Sequence, residues 1–307
     1  MKFVFITPSD KPITAHNYRI NIGFIHKLST LCEAHEIKAY NKNSILIKAS
    51  DIYDEYKPDA FLLLAHSEVL NGYLRNISCL KVMIAVDFYK VIERQRFDWY
   101  KNNKFDLVAQ RGIYDTKLFD KHIGTPCFWL PYCADEKEFY PYDGEKIPLI
   151  GFSGTISSSY KQRKKAIELL EENNLIDNGG KITEPLLYTS FLRKHVAMLT
   201  STEISKSGIR SPHAKMFEIM ASGSMVLSPG FDHNLLSGCY MKYKDDCSDI
   251  VEKARSIIHN TYKYDIMIKK GYEDFLKNHT DNIRVKELYD NIVNMIEGRD
   301  IVKKWGI

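Results

Sequence analysis

Short apolar runs recur along this chain, each followed by a polar stretch or by a stretch with helical spacing. Lys2–Thr7 (KFVFIT) is the first, and the segments at 37–40, 60–65, 81–86 and Leu107–Gln110 repeat the pattern. Runs of this length, rich in Val, Ile, Leu and Phe, predict buried strands. Between them, residues 18–34 place Ile20, Ile22, Phe24, Leu28 and Leu31 at helical spacing, and 51–56 predicts a brief helix. A second alternation begins at 149–152 (LIGF). It continues through a small-residue loop at 153–159 (SGTISSS), a helix at 160–173 started by Ser159, a DNGG turn at 177–180, and a short helix and strand within 191–200. Helices at 249–260, 264–278 and Asp281–Ile296 close the chain. Strands alternating with helices predict an α/β fold in which parallel sheets carry helices on both faces.

Between the two alternating halves, residues 126–148 (PCFWLPYCADEKEFYPYDGEKIP) hold four prolines and little periodicity. This stretch predicts a linker, with the boundary near 143–147. The expected domains are 1–145 and 146–307, close to the two domains of about 150 residues that 307 residues suggest.

Composition changes this picture little. Hydrophobic content of 44% and charged content of 27% are those of a soluble globular protein. The net charge of +4 suits small anionic ligands and falls short of the basic stripe expected of a nucleic-acid binder, so nucleic acid is not expected as a partner. Cys32, Cys79, Cys127, Cys133, Cys239 and Cys247 lie far apart with no C-x-x-C, which predicts reduced thiols rather than a disulfide frame or a zinc site. There is no signal-peptide pattern and no apolar run near 18 residues. A cytoplasmic protein is expected, with peripheral membrane contact left open.

The segment 208–230 (GIRSPHAKMFEIMASGSMVLSPG) carries the first candidate chemistry. Ser211-Pro212 predicts a helix start, 212–222 the helix, Gly223 its left-handed terminator and 225–227 a strand. One helix face is Met216, Phe217 and Met220, and the other is Ser211, Lys215, Glu218 and Ser222. A helix N-terminus favours acidic neighbours, yet this one has Arg210, His213 and Lys215 and no carboxylate in its first turn. An anion at that terminus would resolve the mismatch; a solvated surface helix with a Lys215–Glu218 pair is the alternative.

The usual nucleotide fingerprints are missing. No G-x-G-x-x-G follows a strand, no G-x-x-x-x-G-K-[ST] occurs, and no D-x-D offers a metal-chelated diphosphate. Diphosphate charge would then fall to helix N-termini and basic side chains. The second such place is the loop 151–159, where Gly154 and Thr155 permit close backbone approach, with Tyr160 and Arg163 following. A tight turn at Gly154 and a solvated face of Lys161, Arg163, Lys164 and Lys165 compete with that assignment.

Three stretches, IGFSGTISSSYKQR, AKMFEIMASGSMVLSP and HTDNIRVKELYDNI, together with FWLPYCADEKEFYP, resemble the second domain and interdomain segment of GT-B glycosyltransferases. The group 1 and CgeB-like spore-protein families are the relatives they resemble, over residues 126–296. The resemblance implies two doubly wound Rossmann-like domains facing a cleft, an N-terminal acceptor domain, a C-terminal nucleotide-sugar domain, and a last helix packing back on the first. It implies a donor linked to UDP, GDP or dTDP, with no metal or further cofactor required, and a glycan, protein or other hydroxyl acceptor. Glu218 would bind the ribose hydroxyls, while Arg210, Lys215 and the Gly154-Thr155 backbone hold the diphosphate. Group 1 retaining enzymes carry a second Glu eight residues earlier, where this chain has Arg210.

A base that activates the acceptor is expected at a strand end of the first domain. Asp87 (MIAVDFY) is the first candidate, as in inverting GT-B enzymes such as phage DNA glucosyltransferases, where an Asp follows a comparable strand; the alternative is an N-cap for a helix at 89–96. His66 (LLLAHSE) is the second, and His16, Arg19 and Glu68 are weaker candidates. A nucleotide-sugar epimerase or hydrolase, or a non-catalytic sugar-nucleotide-binding module, remain alternatives on the same fold.

Overall fold

The computed structural model describes residues 1–7, 25–38, 48–64, 74–85, 97–112, 116, 122–158, 160–201, 210, 212–231 and 234–303. The chain divides into two compact units. Met1–Pro131 with Asn282–Ile307 forms the first, and Tyr132–Asp281 the second. Residues 132–145, expected to close the first domain, thus cluster with the second.

In the first unit, β1 (Lys2–Thr7), β2 (Glu33–Lys38), β3 (Ala60–Leu64), β4 (Leu80–Ala85), β5 (Leu107–Gln110) and β6 (Cys127–Trp129) form a parallel sheet in the order β2-β1-β3-β4-β5-β6. Helices α1 (Ala49–Tyr56) and α2 (Phe97–Asn103) lie between the strands in sequence. β1 and β4 bury five of their six residues, as strands covered on both faces must. Two expectations fail here. The helix expected over 18–34 does not reach its end: β2 starts at Glu33. Its sequence, EAHEIK, has no apolar alternation because it is an edge strand whose described side chains are exposed or half-buried. β6 lies inside the expected linker, where three buried residues between prolines are too few to show a period.

The second unit holds β7 (Ile147–Phe152), α3 (Lys161–Glu172), β8 (Ile176–Asn178), α4 (Pro185–Lys194), β9 (His195–Leu199), α5 (Ala214–Ala221), β10 (Met225–Ser228), β11 (Met241–Lys242), α6 (Ile250–His259) and α7 (Thr261–Asn278). Its sheet is also parallel, in the order β11-β10-β9-β7-β8. Successive β10 residues alternate between two cores. Met225 and Leu227 join Ala166, Ile167 and Leu170 of α3, while Val226 joins Met216, Phe217 and Ile219 of α5. The short helix expected within 191–200 is the end of α4, which starts earlier, at Pro185. Pro185 stands at its first position, and the Glu184 carboxylate accepts from the backbone N–H groups of Leu186 and Leu187. The expected turn at 177–180 is in part β8.

The final helix, α8 (Asp281–Ile296), belongs to the first unit from Asn282 onward, where Tyr289 packs against Phe3 at a ring distance of 6.0 Å. All six cysteines are free thiols, with Cys127, Cys239 and Cys247 buried. Among the described residues no helix is long and apolar enough to cross a membrane.

Candidate functional site

Taken in its own chain order, the second unit's sheet runs second, first, third, fourth, fifth. The first and third strands, β7 and β9, are neighbours, and the helices that follow them pack on opposite faces. Their carboxyl ends diverge there, and in open α/β sheets a ligand binds at that switch point. Ser153 and Gly154 leave β7 at this place, and Thr200 and Ser201 leave β9.

Lys215 spans the switch point. It projects from the first turn of α5, and its ammonium donates to the Ser153 carbonyl. The Nζ atom lies 5.6 Å from the centre of the Phe152 ring and 5.9 Å from that of Tyr188. A Cβ added at Gly154 would come within 3.3 Å of Nζ, so the absence of a side chain lets the loop close over the ammonium. The Gly154 N–H donates to Gly180 O at 2.8 Å, tying the loop after β7 to the one after β8. That amide is therefore engaged within the protein, and the backbone contribution expected of Gly154 shifts to its close approach.

Glu218 stands one turn after Lys215 and is 6% exposed. Tyr188 of α4 donates its hydroxyl to Glu218 Oε2 at 2.6 Å. This speaks against the alternative of a solvated surface helix: apart from the half-buried Lys215, every residue of α5 is buried, and Ser222 behind it donates to Glu218 O. The helix also starts two residues later than expected, at Ala214 rather than Pro212. His213 is the N-cap without a side-chain cap bond, and Pro212 precedes the helix. The terminator is as expected, with Gly223 at φ +62°.

The other candidates are held around this centre. The Arg163 guanidinium donates to Thr155 O at 3.0 Å and stacks 4.1 Å over the Tyr160 ring, so these three residues brace the loop from behind. Arg210 pairs with Asp245 at 2.5 Å. His213 stacks on Tyr132, 5.8 Å between ring centres. The late HTDNIR stretch places His279 behind α5, 4.8 Å from the Phe217 ring and 3.4 Å from Asp274. Burial would lift the Asp274 carboxyl, but hydrogen bonds from His279 and Asn278 outweigh it and hold the group below its ordinary value. Asp87 and His66 lie outside the described residues, as do His16, Arg19, Glu68 and Ser211.

Sequence reasoning missed Tyr188, Phe139 and Lys146. The Phe139 ring meets Tyr188 edge-on at 6.5 Å and 86°. Lys146 donates to Gly223 O at 2.7 Å and Ser224 Oγ at 2.9 Å, closing the C-terminus of α5, and burial pushes its amine down to about 8. Phe139 and Lys146 both come from the proline-rich segment taken for a plain linker. A separate cavity of about 470 Å³ lies in the first unit, lined in part by Phe128, Trp129, Ile283 and Val302; none of the expected site residues lines it.

No protein-family model matches the sequence, and no curated protein matches it. Solved structures do. Sucrose-phosphate synthase from Thermosynechococcus elongatus superposes with a TM-score of 0.71 at 9% identity, over 97% of this chain and all of that one. An alpha-glucosyltransferase in complex with UDP and a 13-mer DNA containing a HMU base gives 0.68 at 10% identity, over 95% and 99%. A putative UDP-N-acetylglucosamine 2-epimerase from Listeria monocytogenes gives 0.62 at 10%, over 100% and 99%. At such identities the likeness shows the fold: this chain is built as two parallel-sheet Rossmann-like domains in the GT-B manner. The same likeness weakens one expectation. A structure of this fold was solved with DNA, so the modest net charge does not set nucleic acid aside.

Proposed function

We propose that the chain is a glycosyltransferase, similar to the group 1 and CgeB-like enzymes, that moves a sugar from a UDP-linked donor to a hydroxyl acceptor. One observation carries this: Lys215 reaches across the β7–β9 switch point to Ser153, with the Tyr188-held carboxylate of Glu218 one turn behind. A cation beside a helix N-terminus suits a diphosphate, and a carboxylate suits the paired hydroxyls of a ribose. UDP is the nucleotide chosen because structures of the same fold were solved with UDP and with UDP-glucose.

In the proposed reaction the second unit binds the donor and the first binds the acceptor. Asp87 takes the proton of the acceptor hydroxyl, with His66 as the alternative base. The acceptor oxygen forms its bond to the anomeric carbon as the bond from that carbon to the phosphate oxygen breaks. UDP leaves with its added negative charge met by Lys215, Arg210 and the α5 N-terminus, and no metal is assigned a step. Gly154, Thr155, Tyr160 and Arg163 shape the loop over the phosphates, and His213 fixes the entrance to α5. Arg210 occupies the position of the second Glu in the retaining group 1 enzymes, which favours the inverting course that an Asp87 base implies. The proposed setting is cytoplasmic.

The test is transfer from radiolabelled UDP-glucose and UDP-N-acetylglucosamine to glycan, protein and hydroxymethylated DNA acceptors. Asp87→Asn is expected to lower kcat by at least about 100-fold. Glu218→Ala is expected to raise the donor KM by about tenfold or more. Folded variants that both retain wild-type rates would remove the site assignment. The epimerase of the same fold supports a second reading, an epimerase or hydrolase of UDP-sugars. Release of UDP, or an epimerised product, at full rate without any acceptor would favour it.

A further inference from the structure

We infer that Tyr188 is a positioning residue that fixes the carboxylate plane of Glu218 for the ribose of the donor; the inference rests on the donor site proposed above. The 2.6 Å separation between the Tyr188 hydroxyl and Glu218 Oε2 is that of a charge-assisted O–H···O⁻ bond. Both side chains are 6% exposed, so water does little to orient the carboxylate. A glutamate turns freely about its terminal torsion unless one oxygen is held. Holding Oε2 fixes the plane, and with it the direction from which two adjacent hydroxyls can donate.

Tyr188 is itself over-determined. Its backbone N–H donates to Glu184 O at 3.0 Å, in a helix started by the Glu184 carboxylate and Pro185. The edge-on Phe139 ring stands against its own. The Lys215 ammonium lies 5.9 Å from the ring centre, so one tyrosine touches both the cation assigned to the diphosphate and the carboxylate assigned to the sugar of the nucleoside. Phenylalanine would fill the same apolar site among Phe139, Leu192 and Met216. The hydroxyl adds nothing to that packing; what it adds is the bond to Glu218.

The separating experiment compares UDP with 2′-deoxy-UDP by calorimetry on wild type, Tyr188→Phe and Glu218→Gln. Wild type is expected to prefer UDP by about tenfold, the worth of a hydrogen bond to a charged group. Tyr188→Phe is expected to bring that preference close to one by weakening UDP while leaving 2′-deoxy-UDP within about twofold of wild type. In a Glu218→Gln background the tyrosine change should have no further effect on the preference. A packing role predicts otherwise: both ligands weaken alike in Tyr188→Phe and the preference stays, which overturns the inference while the donor site stands. A wild type that binds UDP with no preference removes Glu218 as the ribose clamp and the inference with it, and no binding of UDP removes the donor site itself. Should Tyr188→Phe fail to fold, Tyr188→Leu removes the same hydroxyl and reads the same preference.

Discussion

Lys215 and Arg210 are both cations near the start of α5, but they are held by different partners. Lys215 donates to a neutral carbonyl, whereas Arg210 faces the carboxylate of Asp245 at 2.5 Å with 27% of its side chain exposed. A diphosphate arriving at Lys215 gains a charge-assisted bond; one arriving at Arg210 must compete with Asp245, in a partly exposed pair worth at most about 1 kcal/mol. Lys215→Met is therefore expected to weaken UDP by about 10- to 100-fold, and Arg210→Ala by less than about fivefold, in parallel titrations. The reverse order would move the phosphate site to Arg210. The basic cluster was legible in the sequence because it violates the charge preference of a helix N-terminus. Its partners were not: Ser153 is 62 residues from Lys215, Asp245 is 35 from Arg210, and Tyr188 is 30 from Glu218. A side chain's hydrogen-bond partner at that range leaves no periodic trace.

At the scale of elements, α5 is clamped at its C-terminus by the segment before β7. Pro141 packs on Gly223, where the positive φ would strain any other residue and an added Cβ would lie 3.0 Å from Pro141, and Lys146 donates to the Gly223 carbonyl. Burial lowers the Lys146 amine from 10.5 to about 8, so between those values the folded chain has shed a proton that the unfolded chain keeps. Stability contributed by this group is thus expected to rise as pH climbs through about 8 toward 10.5, by on the order of 2 kcal/mol. Urea unfolding of wild type and Lys146→Met at about pH 7.5 and about pH 10 checks this, with the rise present in the first and missing in the second. Elements that bury long apolar runs, such as β1, β4 and β10, were plain in the sequence. Those that were missed or misplaced lie at sheet edges or carry few apolar residues. β2 is half-solvated, β6 and β8 are three residues long, and α4 announces itself only through Glu184-Pro185.

Across the whole molecule, both units place their first strand between their second and third, so each has a switch point of the same kind. In the second unit the described residues around it include those expected to meet the phosphates and the ribose, while 202–209, which follow β9, fall outside the described residues. In the first unit the switch point lies between β1 and β3, and the segments that follow them, 8–24 and 65–73, fall outside the described residues along with Asp87. Alternating strands and helices made the paired α/β design legible at this scale, but the division at Pro131 was hidden because a Pro-rich stretch reads as linker even where it is β6 and the clamp on α5. The central claim is that the switch point between β7 and β9 binds a nucleoside diphosphate. Calorimetric titration of the wild-type chain with UDP and with uridine tests it most directly. One UDP per chain, bound at least about tenfold (about 1.4 kcal/mol) more tightly than uridine, is the expected result. Equal affinity for the two, or no binding of UDP at millimolar concentration, would contradict it.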